Sequence, residues 1–410
     1  MLKVLSSTWA LLFGLMLLML GNGMQGTLLG IRGAIEHFST TQMSIVMSCY
    51  FIGFLFGSRL APEMIRRVGH VRVFAALGTM ISAVLILYAA WPNWMAWAAM
   101  RVLIGFSFSG VYITAESWLN NASTNETRGQ ALSLYLIVQM IGIIAAQVLL
   151  NFADPSGFIL FVIPSVLVSL AFTPILLSVS PAPAFESTRP LSFRRLYQAS
   201  PLGCVGMFLL GGIFSAQFGM ASVWGTQAGL SIRDLSIFVA SIYVGGLVLQ
   251  FPIGWVSDRM DRRMLILGLA AVGAVVLMLP VIFDLPFILL IGVGALMGGI
   301  SNPLYSLLLA YVNDYLDKSD MAAASAGLIF INGLGAISGP IITGWMMGVI
   351  GPSGFFLFMA VIFALLTAYA MFRMTRRRRT PEQQGSYTAL SPTASVVTVE
   401  AAMERAESDS

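Results

Sequence analysis

The sequence predicts an all-α integral membrane protein of twelve transmembrane helices, arranged as two six-helix pseudo-repeats. Three observations carry this: the composition, the placement of the basic residues, and an echo between the two halves. Of the 410 residues, 58% are hydrophobic and only 10% charged, and the mean hydropathy is +0.86, a balance outside the range of soluble domains. A helix crosses ~30 Å of hydrocarbon with about 20 residues, so twelve spans use roughly 250 and exclude a large extramembrane domain. Cys49 and Cys204 both lie in apolar runs, which excludes a disulfide framework and a cysteine metal cluster. His37 and His70 fall in polar connections, so most histidine chemistry is excluded. The net charge of +4 comes from bases that punctuate apolar runs instead of forming a folded basic face. The expected partner is therefore the lipid bilayer and not nucleic acid.

Windows of about 19 residues place the elements in order. Span 1 covers 8–30 after Lys3; it is long for a signal-peptide core and no A-x-A site follows, so it is expected to be retained. Spans 2 and 3, at 41–62 and 72–91, are joined through Arg59, Arg66, Arg67 and Gly69. Span 4, 94–118, carries Arg101, and Arg128 precedes span 5, 130–150. Span 6, 157–179, completes a first bundle over 1–180. The stretch 181–200, with Pro181, Pro183, Pro190, Arg194 and Arg195, reads as a linker between the halves. A second bundle over 201–375 holds spans at 202–224, 235–256, 264–283, 285–311, 322–349 and 354–372. Residues 376–410 start with the basic run Arg376–Arg379, which anchors the last helix at anionic headgroups. The polar remainder is expected to be disordered.

With the N-terminus in the cytoplasm, all of the 22 basic residues except Arg32, Arg101 and Arg233 fall in interior connections. The positive-inside rule demands that asymmetry, and an even span count returns both termini to the cytoplasm.

The halves repeat at an offset of about 192 residues. Tyr50-Phe-Ile-Gly53 in span 2 recurs as Tyr243-Val-Gly-Gly246 in span 8, and Arg67-Val-Gly69-His-Val-Arg72 as Arg259-Met-Asp261-Arg-Arg-Met264. Parallel six-span repeats are a transporter architecture. Gly254-Trp-Val-Ser-Asp258-Arg259-Met-Asp261-Arg262-Arg263 resembles the loop motif G-x-x-x-D-R-x-G-R-R of the major facilitator superfamily, with Asp261 where glycine is usual. The first-half copy, from Gly57 through Glu63, Arg66, Arg67 and Gly69, lacks the aspartate at its usual place. Arg101-Val-Leu-Ile-Gly105 is similar to that family's buried arginine motif in span 4. Gly142-Ile-Ile-Ala-Ala-Gln147 departs from the span 5 pattern of many drug/proton antiporters, which favours uptake over efflux. Ala115-Glu116-Ser117-Trp118 followed by Arg128-Gly129-Gln130 resembles a bacterial branch of poorly characterised permeases that includes riboflavin uptake transporters. The resemblance implies the major facilitator fold, a monomer in the bacterial inner membrane, and alternating access coupled to protons.

Arg101 and Glu116 lie fifteen residues apart in span 4, about 22 Å along a helix and within ~60° of one face. Tyr112, Phe108 and Ser109 share that stripe. An intramembrane charge should face the bundle interior, since exposing it to lipid costs at least about 2.5 kcal/mol. Arg101 is a candidate for orienting substrate and Glu116 for carrying a proton; a structural hydrogen-bond role stands beside each. The repeat sets Gly294 opposite Arg101 and Leu309 opposite Glu116, so the second half lacks both charges. Its polar positions are Gln217, Tyr243, Gln250, Asn302, Tyr305 and Asn332, and the first half adds Asn22, Gln25, Tyr135 and Gln139. These residues either line a cavity for a neutral or amphipathic, possibly aromatic, solute or bridge helices. Asp258, Arg259, Arg262 and Arg263, with Gly254, form a candidate gate, Asp258 being expected near the positive end of a helix.

No H-E-x-x-H, Walker or histidine-based constellation supports an enzyme, a cofactor or a metal site. Two further readings remain: proton-coupled efflux of hydrophobic compounds, and a transporter-like receptor that binds without translocation.

Overall fold

A computed structural model describes residues 2–121, 127–176, 193–316, 318–376, 387–393, 395 and 397–399. Among them the long regular elements are all helical: α1 (Leu2–Ile35), α2 (Thr40–Val68), α3 (His70–Ala90), α4 (Trp94–Asn121), α5 (Arg128–Leu149), α6 (Ile159–Leu176) and α7 (Phe193–Ala199), then α8 (Pro201–Gly219), α9 (Ala221–Gln227), α10 (Ile232–Ser257), α11 (Arg262–Ile282), α12 (Phe287–Asn313), α13 (Lys318–Ile350) and α14 (Gly354–Arg376). Eleven are long and apolar enough to cross a membrane, and the apolar Ile159–Pro174 is a shorter twelfth. The chain is thus a multi-pass helical membrane protein.

Local chemistry sets several boundaries. Ser39 and Gln42 form a reciprocal capping box at the start of α2, which satisfies two of the amides left over at a helix N-terminus. Asn93 Oδ1 accepts from Met95 N at 2.9 Å and Ala96 N at 3.2 Å to open α4. Gly69 joins α2 to α3 at φ 85° and ψ 160°, a region only glycine enters freely.

The repeat is written into the crossings. A methyl group on Gly53 of α2 would overlap the Val102 carbonyl oxygen of α4, and one on Gly105 would overlap that of Tyr50. In the second half Gly245 of α10 meets the Ala295 carbonyl of α12 in the same way, and Gly298 meets that of Ile242. Backbone-to-backbone approach of this kind tolerates only glycine.

Three regions differ from the sequence expectation. The seventh span is broken at Met220 into α8 and α9, and the α9 segment packs against α1. Part of the proposed linker is helical: α7 buries Leu196, while 181–192 lies outside the described residues. The tail, expected to be disordered, is packed at residues 387–391, where Leu390 and Ser391 are buried; Tyr387 and Leu390 supply apolar anchors that a composition reading averages away.

The chain divides into two compact units. One comprises Met1–Ser187 with Gln217–Ala240, the other Thr188–Ala216 with Ser241–Ser410. Within the first unit, the Gln217–Ala240 segment is held to α1, α2 and the turn that follows α5. Ser222 Oγ donates to the Gly26 carbonyl at 3.4 Å, Gln227 Nε2 to Thr40 Oγ1 at 3.0 Å, and Asn151 Nδ2 to Ser236 Oγ at 3.3 Å. Gly30 admits Ser222 directly against the α1 backbone.

Candidate functional site

The first unit gathers most of the polar residues singled out by sequence. Arg101 is 4% exposed and Glu116 1%, so both charges face the protein interior and not lipid. Arg101 Nη1 donates to Gln25 Oε1 at 3.2 Å, Gln25 Nε2 to Asn22 Oδ1 at 3.1 Å, and Asn22 Nδ2 to the Tyr112 hydroxyl at 2.9 Å. This relay starts on α4, crosses to α1 and returns to α4 three turns along. The guanidinium also stands over the Tyr50 ring at 4.9 Å and touches Met47 Sδ at 3.1 Å, while its Nε has no hydrogen-bond partner among the described residues. A buried guanidinium offers five donors, so this one retains capacity for an acceptor.

One turn beyond Tyr112, the Tyr135 hydroxyl donates to Glu116 Oε1 at 2.6 Å, and Gln139 Nε2 donates to the same hydroxyl at 2.9 Å. The contact is at the short end of the O–H···O range. The spacing pairs Asn22/Gln25 and Tyr135/Gln139 are therefore both bonded within their helices, and each also reaches α4. Thr27 Oγ1, which the sequence reading passed over, donates to Gln147 Oε1 at 3.0 Å and ties α1 to α5. No group of three His, Cys, Asp or Glu among the described residues is arranged to hold a metal.

The second unit is neutral at the equivalent level. Asn302 is buried with neither amide atom bonded among the described residues. Asn332 Nδ2 donates to the Met207 carbonyl at 2.9 Å, which makes it a tie between α13 and α8. Gln250 Nε2 donates to Ser306 Oγ at 3.2 Å. Tyr305 is buried and stacks edge-on to Phe214 with ring centroids 6.1 Å apart, whereas Tyr243 is half-buried. Gln217 is buried in the first unit.

The loop motif follows a different plan from the expected one. The acid at the positive end of a helix is Asp261, not Asp258: its Oδ1 accepts from Arg263 N at 2.9 Å as the N-cap of α11. Asp261, which stands where glycine is usual, thus fits a local capping need. Arg262 is 1% exposed and grips Asp314, at the end of α12, through bonds of 2.7 and 2.8 Å to both oxygens. Its approach to Asp258 is looser, at 3.9 Å. Asp258 Oδ1 instead accepts the Tyr387 backbone N–H at 2.8 Å. Arg259 lies over the Trp255 ring at 4.0 Å. In the first copy, Arg66 and Arg67 both pair with Glu63 on their own helix. Asp314 and Tyr387 were not found from sequence; only the first carried a signal, as an acid just past a span.

At the C-terminal end of α1, Arg32 pairs with Glu36 at 2.7 Å and donates to the carbonyls of Pro155 and Ser156 in the α5–α6 connection. There Asp154 is held below the usual carboxylate range, first by the Ser156 backbone N–H.

A family model, the Major Facilitator Superfamily, matches residues 11–231 and again 203–403. The chain belongs to the Major Facilitator Superfamily. A curated relative, the uncharacterized MFS-type transporter YcaD of Escherichia coli (strain K12 / DH10B), is 26% identical over 352 residues, 82% of this chain and 88% of the relative. Among solved structures, the nucleoside transporter NupG aligns with a TM-score of 0.73 at 15% identity, over 91% of this chain and 100% of that one. A bacterial homolog to the human lysosomal transporter Spinster aligns at 0.71 and 14% identity, over 92% and 99%. The E. coli fucose:proton symporter FucP aligns at 0.58 and 15%, over 90% and 99%. The chain is accordingly a transporter of the major facilitator fold, a family without enzymatic activity.

Proposed function

We propose that this facilitator-family chain takes up a small neutral or amphipathic solute, of aromatic, riboflavin-like character, by alternating access coupled to protons. Two halves, 1–180 and 201–375, alternate in opening the solute's path to either side of the membrane, with 181–200 as the linker. The protein works as a monomer in the bacterial inner membrane, with both termini and the loop motif at the cytoplasmic face and with no cofactor.

The observation that carries the reading is Glu116. It is a carboxylate buried in α4 with a tyrosine hydroxyl at 2.6 Å, one turn from the relay that leads to Arg101. A buried acid in a membrane span is expensive to keep and marks a proton or substrate path. Glu116 carries the proton, and Arg101, Asn22, Gln25, Tyr112 and Gln139 order the solute on the first half. Gln217, Tyr243, Asn302, Tyr305 and Asn332 supply neutral contacts. Gly254, Asp258, Arg259, Arg262 and Arg263, with Arg66, Arg67 and Gly69, bias the exchange between states. One fold neighbour is a fucose:proton symporter and another a nucleoside transporter, which supports a neutral cargo.

Thermal stability of the detergent-purified protein across flavins, other vitamins, nucleosides, sugars and amino acids tests the cargo. A solute at 100 times its Kd stabilises the fold by about 2.7 kcal/mol. A flavin-selective rise supports the riboflavin-like assignment; a rise with another class and none with flavins overturns it. Once a solute is in hand, Glu116→Gln should abolish its pH-driven accumulation while leaving the thermal shift. Unchanged accumulation removes Glu116 as the carrier.

A further inference from the structure

The C-terminal segment touches the second unit at three consecutive points of one surface. At the end of α10, the Tyr387 ring lies directly on Gly254, where any Cβ would collide with it. Four residues on, Asp258 Oδ1 accepts the Tyr387 backbone N–H at 2.8 Å. On α12, Ser306 Oγ accepts the Leu390 N–H at 3.0 Å and donates to the Leu390 carbonyl at 3.4 Å. Gln250 fills the remaining lone pair of that hydroxyl at 3.2 Å. A hydroxyl has one proton and two lone pairs, so Ser306 is fully used by the tail and Gln250 together. Leu390 and Ser391 are 6% and 5% exposed, a burial that surface chain ends do not reach without a surface shaped for them.

Two of these contacts fall on the loop motif itself, at its first glycine and its aspartate. The third lies one turn along α12 from Asn302, whose buried amide has no hydrogen-bond partner among the described residues. Burial also pushes the Tyr387 hydroxyl above its ordinary range, so the ring seats in neutral form.

We propose that residues 387–391 are the resident occupant of a docking surface on α10 and α12, and that this occupancy restrains transport until the segment leaves. The restraint rests on the alternating-access reading, because Asp258 bonded to the tail is withdrawn from any partner it takes in the other state. The docking itself does not depend on that reading. The occupant is the chain's own tail and not a second protein: Tyr387 follows the end of α14 by eleven residues, enough to return to the same end of the unit.

The test uses the full chain with Cys49→Ala and Cys204→Ala and a single probe, Asn302→Cys, one turn along α12 from the tail contact and not itself an anchor of it, alkylated by a water-soluble thiol reagent in detergent. Ending the chain at Gly385 should raise the alkylation rate about tenfold, which corresponds to one modest local opening removed. A full-length Leu390→Asp variant should reproduce the rise, and a synthetic peptide of residues 387–399 should slow the shortened chain again. Equal rates in the full-length, shortened and Leu390→Asp proteins overturn the docking. For the restraint, the shortened chain without the cysteine changes should move whichever solute stabilises it several-fold faster than the full chain. Fast alkylation with an unchanged transport rate overturns the restraint alone. Since alkylation needs no transported solute, failure of the transport reading and failure of the docking give different results.

Discussion

In the first copy of the loop motif, Glu63 reaches Arg66 at 2.6 Å and Arg67 at 2.7 Å along one exposed turn of α2. In the second, Arg262 leaves its own turn and takes both oxygens of Asp314, fifty-two positions away, with the guanidinium 1% and the carboxylate 12% exposed. The same basic pattern therefore does two kinds of work. Exposed pairs on one helix relax the charge of that helix and little else. A pair largely shielded from water, between α11 and the end of α12, ties two helices together. The position between the arginines diverges too, with Gly69 at positive φ in one copy and Asp261 as a helix cap in the other. Sequence similarity in the two loops does not mean equal load.

The comparison breaks most visibly at Arg262. Replacing it with Ala removes the guanidinium that both oxygens of a mostly shielded Asp314 accept and should cost up to about 3 kcal/mol, seen as a fall in melting temperature in detergent; a loss no greater than that of Glu63→Ala would erase the distinction. Next comes the divergent position. Gly69→Ala forces a side chain into a backbone region that excludes it, at about 1–3 kcal/mol, while Asp261→Ala forfeits one helix cap, at about 0.5–2 kcal/mol. Asp261→Gly should cost less than Asp261→Ala, because glycine is the better cap; the reverse order would mean the carboxylate matters through Arg263 and not through the helix end. The smallest effect is expected for Glu63→Ala, a barely measurable change in melting temperature because water screens an exposed pair, and it should shrink further in high salt.

The parts legible in the sequence are those set by the bilayer. Hydrocarbon thickness fixes the length of each apolar run, and lipid excludes Arg101 and Glu116 from the outer face, so their burial followed from the spacing alone. The crossing glycines kept the repeat visible at Tyr50–Gly53 and Tyr243–Gly246. What could not be read was register between helices. Nothing in α1 says that Gln25 stands level with Arg101, since a small rotation of either helix would part them. Asp314 is separated from Arg262 by two spans that carry no periodic mark of the pair. Tyr387 was hidden for a different reason: in a stretch of Pro, Ser, Thr and Glu, one tyrosine and one leucine do not alter the average, yet two anchors and three backbone hydrogen bonds suffice to dock a strand of chain.

The assignment of Gln217–Ala240 to the same compact unit as Met1–Ser187 bears on how the chain is made. A ribosome delivers the first six spans well before Ser222 exists, so the Gly26–Gly30 stretch of α1 waits in the bilayer with its partner still unsynthesised. Val223, Trp224 and Phe238, all buried in the finished protein, arrive as the piece that completes the earlier half. Half-molecules divided in the linker would each lack something: the first its late-arriving cover, the second the surface on which α9 rests. Assembly is then a splicing of early and late segments, and the chain reaches its native packing only after residue 240 has entered the membrane.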